Sequence, residues 1–268
     1  MTLVELLVVL AILALMTTVA VTSTDVFLSQ GRYETTTQTL TNIQEAVVGP
    51  PNARRADGTL LPIGFVADVG GPPHCASADP TLGLAELWAQ PARVAPFAIV
   101  RSSTDPDVQV PCGWRGPYLR LAVGQNSLRD GWGNPMDLLV LSGGRAGVGD
   151  PIVAARSNGA GGNSPYNAPL TVNFAPALIT VSGNISNGQP QNTIDWSLVR
   201  VTLFGPNPAT GGLQELPCTV TPATDGATFT SPTVCAPGFL RAYAGNPATR
   251  RSTIVRFQRS DVISLIFQ

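Results

Sequence analysis

The chain has 268 residues, a net charge of -1 and only 12% charged residues, roughly half of the usual share. Its 27 Gly and 24 Pro residues favour turn-rich β structure over helical bundles. All sixteen basic residues are Arg, which excludes a P-loop lysine and lysine Schiff-base chemistry, and the balanced charge gives no whole-chain sign of nucleic-acid binding.

The first predicted element is an apolar helix. Residues 6–24 carry no charged side chain, and their number matches the hydrocarbon core of a bilayer. The segment lacks the basic start and the cleavage site of a secretory signal peptide. We therefore expect a membrane-spanning stage, with any processing before Met1. Glu5, at the edge of this run, either stays near the headgroups at a helix start or needs a partner if it is buried.

Residues 1–7, MTLVELL, resemble the mature start of type IV pilins and pseudopilins. The resemblance implies cleavage by a prepilin peptidase, N-methylation of Met1 and a charge pair between Glu5 and the terminal ammonium group of a neighbouring subunit. It also implies that the apolar helix packs in a filament core, through Leu6, Leu7, Leu10 and Leu13.

The helix is predicted to continue past the apolar run. Leu40, Ile43 and Val47 recur at positions i, i+3 and i+7, so residues 26–48 should form an amphipathic helix. The sequence Gly-Pro-Pro at residues 49–51 should end it. Residues 1–50 are therefore predicted as one long helix, with residues 1–24 as its apolar half.

Residues 51–163 are predicted to form a globular head. Short apolar runs between Gly and Pro turns indicate a short helix at Leu82–Trp88 and strands at Ile63–Val66, Ala98–Val100 and Met136–Leu141. Residues 115–119 (RGPYL) and 130–135 (DGWGNP) resemble a segment and a turn of major pseudopilins and their pilin relatives. The turn residues are Asp130, Trp132, Asn134 and Pro135, and we expect Trp132 to cover the helix as a core anchor.

Residues 164–268 are predicted to form a second, β-sandwich-like surface domain, because strand-like runs alternate with turns. The predicted strands are Leu170–Phe174, Leu178–Val181, Leu198–Phe204, Phe239–Tyr243, Thr253–Phe257 and Val262–Phe267.

The even number of cysteines, without zinc-like spacing, predicts two disulfides in an oxidising compartment. Three connectivities are possible. We expect the sequence-local one, which pairs Cys75 with Cys112 and Cys218 with Cys235, because each pair then lies within one predicted domain.

The residue inventory argues against an enzyme. The chain has no GxSxG, HExxH, P-loop or dinucleotide motif, and His74 is its only histidine. Asp105 and Asp107 lack the further oxygen ligands of a calcium site and are interpreted as solvated loop charges, and Arg256 as part of a solvated sheet face. We expect no catalytic residue, cofactor or metal.

These inferences predict an α+β fold, in which a type IV pilin fold packs a long N-terminal helix on an antiparallel β-sheet head and carries a C-terminal β-sandwich-like domain. The predicted function is a structural subunit of an extracellular type IV pilus-like filament on the cell surface. Its partners would be other copies of the chain, the inner membrane before assembly, the prepilin peptidase, the assembly machinery and a second pilin, with no nucleic acid. Two alternatives stay open, a pseudopilin of a type II secretion system and a membrane-tethered surface binding protein.

Overall fold

The computed structural model describes residues 3–50, 63–161, 166–176, 178–188, 193–245 and 250–267. Helix α1 occupies Leu3–Val48 and helix α2 occupies Phe65–Val69, with 3-10 turns at Ala85–Leu87 and Trp196–Leu198. The strands are β1 (Ala98–Arg101), β2 (Gln109–Cys112), β3 (Asp137–Leu139), β4 (Ala154–Ser157), β5 (Leu170–Asn173), β6 (Ser182–Asn187), β7 (Arg200–Pro206), β8 (Leu213–Pro217), β9 (Thr219–Ala223), β10 (Gly226–Thr230), β11 (Gly238–Ala244), β12 (Arg250–Arg251), β13 (Val255–Phe257) and β14 (Val262–Phe267).

Helix α1 ends where the sequence contains its stop signal. Gly49, directly after Val48, has a φ of 91°, in the region that glycine adopts far more readily than other residues. A Cβ at Gly49 would also clash with the carbonyl oxygen of Ile63. The sequence predicts that residues 6–24 span a membrane, but among the described residues no helix is sufficiently long and apolar for a membrane crossing.

The predicted fold class is wrong. The chain is mostly β-sheet, with 31% strand against 22% helix, and the predicted arrangement of a long N-terminal helix on a sheet is not seen. The 46 residues of α1 extend over about 69 Å. The strands that contact it, β4 and β5, have only four residues each, or roughly 13 Å. They cover only the helix end, where Thr36, Leu40, Ile43, Ala46 and Val47 are buried.

The first lobe, residues 63–161 and 166–176, builds its core against this helix end. Ile43 of α1, Phe65 of α2 and Met136 beside β3 are fully buried in one apolar cluster with Ile152. The adjoining sheet has the antiparallel order β3–β4–β5. Strand β5, which follows residue 163, pairs with β4 of this lobe.

The second lobe, residues 178–188, 193–245 and 250–267, contains two sheets around one apolar cluster. One sheet has the order β14–β6–β10–β9, in which β14 runs parallel to β6. The other has the order β12–β11–β7–β8, with β13 also pairing with β11. The shared cluster includes Ile185 and Leu265 from the first sheet and Leu203 and Leu240 from the second.

The loop between β1 and β2 joins the two lobes through a buried ion cluster. Asp105 is fully buried, and its carboxylate lies 2.9 Å from Nη1 of Arg241 and 3.2 Å from Nη1 of Arg251. The hydroxyl of Tyr243 donates to it at 2.8 Å. Asp107, with a 62% exposed side chain, lies 3.2 Å from Arg241. The interpretation of Asp105 as a solvated loop charge is therefore wrong, because burial gives it three fixed partners from the second lobe.

A second buried carboxylate stabilises the sheet of the first lobe. Asp137 on β3 faces its register partner Arg156 on β4, whose Nη2 lies 2.9 Å from the carboxylate. Arg145 and Asn158 also donate to it. Burial alone would raise the pKa of Asp137, but these hydrogen bonds outweigh burial and lower the pKa to about 2.

Most of the predicted strands are confirmed in place, and two are wrong. The confirmed predictions overlap β1, β3, β5, β7, β11, β13 and β14, and the bounds of β14 agree at both ends. The predicted strand Ile63–Val66 is wrong because Phe65 begins α2. The predicted strand Leu178–Val181 is also wrong, since Ile179 forms an isolated bridge with Val234 there. The predicted helix Leu82–Trp88 is shortened to the 3-10 turn Ala85–Leu87.

Candidate assembly interface

The N-terminal part of α1 exposes apolar side chains on every side. We call residues 4–28 the arm. Its large apolar side chains have exposed fractions from 44% at Val9 to 72% at Phe27. They are Val4, Leu6, Leu7, Val8, Val9, Leu10, Ile12, Leu13, Leu15, Met16, Val26, Phe27 and Leu28. A helix that is apolar all round is normally buried, so this surface needs a cover.

The four leucines that the pilin resemblance marks for filament packing all lie on the arm surface. Leu6, Leu10 and Leu13 are spaced i, i+4 and i+7, which places them along one stripe of the helix. Their exposed fractions are 52%, 58% and 54%, and that of Leu7 is 61%. The structure therefore leaves them available for contact with another molecule. The sequence interpretation missed the apolar group Val26–Leu28, although its three consecutive apolar residues after Asp25 were a visible signal.

Threonine hydroxyl groups do not make the arm surface polar. The Thr17 hydroxyl donates to the carbonyl oxygens of Leu13 at 2.7 Å and Ala14 at 2.9 Å. The Thr18 hydroxyl does the same toward Ala14 and Leu15. Since both donors bond within their own helix, burial of these side chains against another apolar surface would not leave them unsatisfied.

Glu5 is the acidic group of the first turn of α1 and is exposed. A carboxylate near a helix start is stabilised by the macrodipole, by a few tenths to about 1 kcal/mol. Met1, its predicted partner in a neighbouring subunit, lies outside the described residues. The charge pair between subunits therefore stays a prediction.

The predicted DGWGNP turn contacts α1 through its backbone, just beyond the arm. The carboxylate of Asp130 accepts hydrogen bonds from the backbone N–H groups of Trp132 at 3.0 Å and Asn134 at 2.7 Å. The backbone N–H of Gly131 donates to the hydroxyl of Thr36 on α1 at 2.9 Å. A Cβ at Gly131 would clash with the carbonyl oxygen of Arg32, so this close approach requires glycine.

Trp132 does not have the predicted role of a buried core anchor. Its side chain is half-buried, and Asn134 and Pro135 are exposed. The first-lobe cluster takes its indole rings from Trp88 and Trp114 instead. The close contact of this turn with α1 is made by the backbone of Gly131, at Arg32 and Thr36.

Neither predicted disulfide is formed. All four cysteines are free. Cys75 belongs to the first-lobe cluster and Cys112 to the cluster at the lobe interface. Cys218 packs against the second-lobe cluster and Cys235 against the first. Each sequence-local pair is thus divided between two apolar clusters, which proximity along the chain cannot reveal.

Comparisons with known proteins return no match to any family model, to any curated protein or to any solved structure. The resemblance to pilins and pseudopilins therefore rests on the sequence motifs alone. Within the described residues, no group of three or more His, Cys, Asp or Glu side chains is arranged to hold a metal ion. Within the described residues, the arm exposes a long series of large apolar side chains, and a stable apolar contact is what it can provide.

Proposed function

We propose that this chain is a structural subunit of a filament on the cell surface, and that copies assemble by packing their arms together. The observation that carries the proposal is the set of large apolar arm side chains with exposed fractions of at least 44%. Apolar surface on this scale marks a contact with another molecule. Identical arms supply a cover of matching length and chemistry, and they are present in every copy.

The size of the apolar surface favours a polymer over a dimer. Full burial of a Leu, Val or Phe side chain stabilises by about 1.5 to 3 kcal/mol. The arm side chains are about half exposed, so they can still gain about half of this stabilisation. Complete burial would contribute on the order of 10 kcal/mol per arm. Association loses about 4 to 15 kcal/mol of translational and rotational freedom. A single partner covers only one side of the arm, whereas a bundle of arms covers all sides.

Glu5 would restrict how the arms align. A bundle that covers the start of α1 removes water from this carboxylate, and burial of a charge is unfavourable unless hydrogen bonds and opposite charges around it compensate. Arrangements in which Glu5 meets a cationic group of a neighbouring copy are therefore favoured over arrangements in which it meets only leucines. The terminal ammonium group that the pilin resemblance implies is such a partner.

The experiment compares one charge placed on the arm with the same charge placed on a lobe. Leu10→Asp introduces a carboxylate into the apolar stripe, and Leu141→Asp introduces it at a side chain that is 85% exposed outside the arm. The full-length proteins are purified in detergent, the detergent is removed, and the products are imaged by negative-stain electron microscopy.

We expect ordered filaments from the wild type and from Leu141→Asp, and none from Leu10→Asp. Filaments from Leu10→Asp that match the wild type would contradict the proposal, and so would a wild type that never polymerises. The second outcome fits a tethered surface binding protein instead. A secretion pseudopilin predicts lost secretion on deletion of the gene, without long surface fibres.

A further inference from the structure

The sheet β14–β6–β10–β9 of the second lobe has an uncharged outer face. None of these four strands contains an acidic or a basic residue. Their inward side chains join the apolar cluster of the second lobe, as alternation along a strand requires. The exposed side chains on the other side, which we call the outer face, are Asn184 and Ser186 on β6, Thr228 and Thr230 on β10, Thr219, Thr221 and Ala223 on β9, and Val262, Ser264 and Ile266 on β14. The outer face therefore offers hydroxyl and amide groups without a charge among them.

Strand β6 places the one Asn-x-Ser/Thr sequence of the chain on this outer face. The sequence is Asn184-Ile185-Ser186, and such a triplet without a central proline is the acceptor motif of N-linked glycosylation. Ile185 is only 2% exposed and packs in the apolar cluster, whereas Asn184 and Ser186 are both exposed. The motif alone does not require this arrangement. The fold brings both of the side chains that the motif specifies to the surface, where an attached glycan has to lie.

The neighbours of Asn184 on the outer face suit a sugar. Its register partners are Thr228 on β10 and Ser264 on β14, on strands that lie about 4.8 Å away on either side. Each hydroxyl group can donate one hydrogen bond and accept two, so both can bond to sugar hydroxyls. Val262 and Ile266, two residues before and after Ser264, are 72% and 46% exposed. A sugar ring carries hydroxyl groups at its rim and C–H groups on its faces, and this mixture of hydroxyl and apolar side chains matches both.

We propose that Asn184 carries an N-linked glycan. In the transfer, the side-chain amide nitrogen of Asn184 forms a bond to the anomeric carbon of an oligosaccharide that is linked to a lipid diphosphate. The bond from that carbon to the phosphate oxygen breaks, the diphosphate leaves with the electron pair, and the nitrogen gives up one proton. No oxidant or reductant takes part. The modification goes beyond the filament proposal, because no residue of the outer face belongs to the arm.

The topology of the sheet sets the time at which the transfer takes place. In the folded lobe β6 is paired on both sides, with β10 and with β14, and its backbone cannot leave the sheet to enter an enzyme. Both partner strands follow β6 in the chain, so β6 is an unpaired, extended segment until they have been added. The sugar is therefore attached before the sheet closes. Once the sheet has formed, the glycan stays outside, because the Asn184 side chain points away from the apolar cluster.

The test is mass spectrometry of the full-length protein and its variants, each purified from the native cells. We expect the wild-type peptide with Asn184 to carry additional mass and to release sugar fragment ions. Ser186→Ala keeps the acceptor asparagine but breaks the motif, so it should lose this mass completely, whereas Ser186→Thr preserves the motif and should retain it. The matched control is Asn126→Gln, since Asn126 is also exposed and is followed by Ser127 and Leu128, which do not complete the motif. It should retain the mass at Asn184.

Three results would overturn the proposal. They are a wild-type Asn184 peptide with the mass of its sequence alone, additional mass that persists in Ser186→Ala, and loss of the mass in Asn126→Gln as well. Each of them leaves the filament proposal standing, because filament formation is measured separately by imaging.

Discussion

Replacement of the buried carboxylate between the lobes should destabilise the protein strongly. In Asp105→Asn, the side chain keeps its shape but loses its charge in a site where it is 0% exposed. Removing one partner of a buried ion pair destabilises by about 3 to 5 kcal/mol. Asp107 remains 3.2 Å from Arg241 and 3.8 Å from Arg251. It therefore compensates part of the positive charge that Asp105→Asn leaves without its carboxylate partner. We therefore expect a loss of about 3 kcal/mol, at the lower end of this range.

The matched control is Asp107→Asn, which removes the same charge two residues along the chain at a 62% exposed side chain. An exposed pair contributes about 0 to 1 kcal/mol. The free energy of unfolding is measured by urea titration of the full-length proteins in detergent, with tryptophan fluorescence and far-UV circular dichroism as probes. Unchanged m-values would show that the comparison concerns stability alone. A loss below about 1 kcal/mol for Asp105→Asn, or equal losses for the two variants, would refute the reasoning.

The other predictions concern acid, thiols and two glycines. Because the folded pKa of Asp137 is lowered to about 2, its contribution of about 2 kcal/mol is present above the unfolded pKa near 4 and is lost as pH falls toward 2. Urea titrations from pH 7 to pH 2 should therefore show a loss of stability that is about 2 kcal/mol larger in the wild type than in Asp137→Asn. All four thiols should react with a thiol reagent after unfolding without reductant. Before unfolding they should react slowly, because Cys75 and Cys112 are buried and burial raises the pKa of Cys112 and Cys235 and that of Cys218 to about 12. Fewer than four reactive thiols in the unfolded protein would show a disulfide. Gly131→Ala should lower the melting temperature, because the added Cβ would clash with the carbonyl oxygen of Arg32. Gly31→Ala has open space around it and should stabilise the helix by up to about 1 kcal/mol. A higher melting temperature for Gly131→Ala than for Gly31→Ala would contradict this packing.

The sequence predicted those helices and strands that have a signal in consecutive residues. The stop of α1 follows from the Gly-Pro-Pro sequence at residues 49–51, and β7 and β14 follow from their apolar runs. Strand β9, with the sequence TVTPA, has mostly exposed side chains, so no alternation of apolar and polar residues predicted it. Its pairing with β10 determines its structure, and such pairing depends on contacts rather than on intrinsic propensity.

The candidate sites also differ in how far the sequence predicted them. Most of the exposed arm was visible in the sequence because residues 6–24 are mainly apolar and carry no charge, whereas its extension to Val26–Leu28 was missed. The fold class, the cysteine environments and the partners of Asp105 were not, since each depends on contacts between residues far apart in the chain. Asp105 meets Arg241 and Arg251 across 136 and 146 positions, and no local pattern distinguishes it from the exposed Asp107.

The most direct test of the central claim is a helical reconstruction, by electron cryomicroscopy, of fibres formed by the full-length chain. The account predicts that residues 4–28 of neighbouring copies lie side by side around the fibre axis, with the lobes outside. Fibres held together by the lobes, with Leu6 and Leu10 facing solvent, would contradict it.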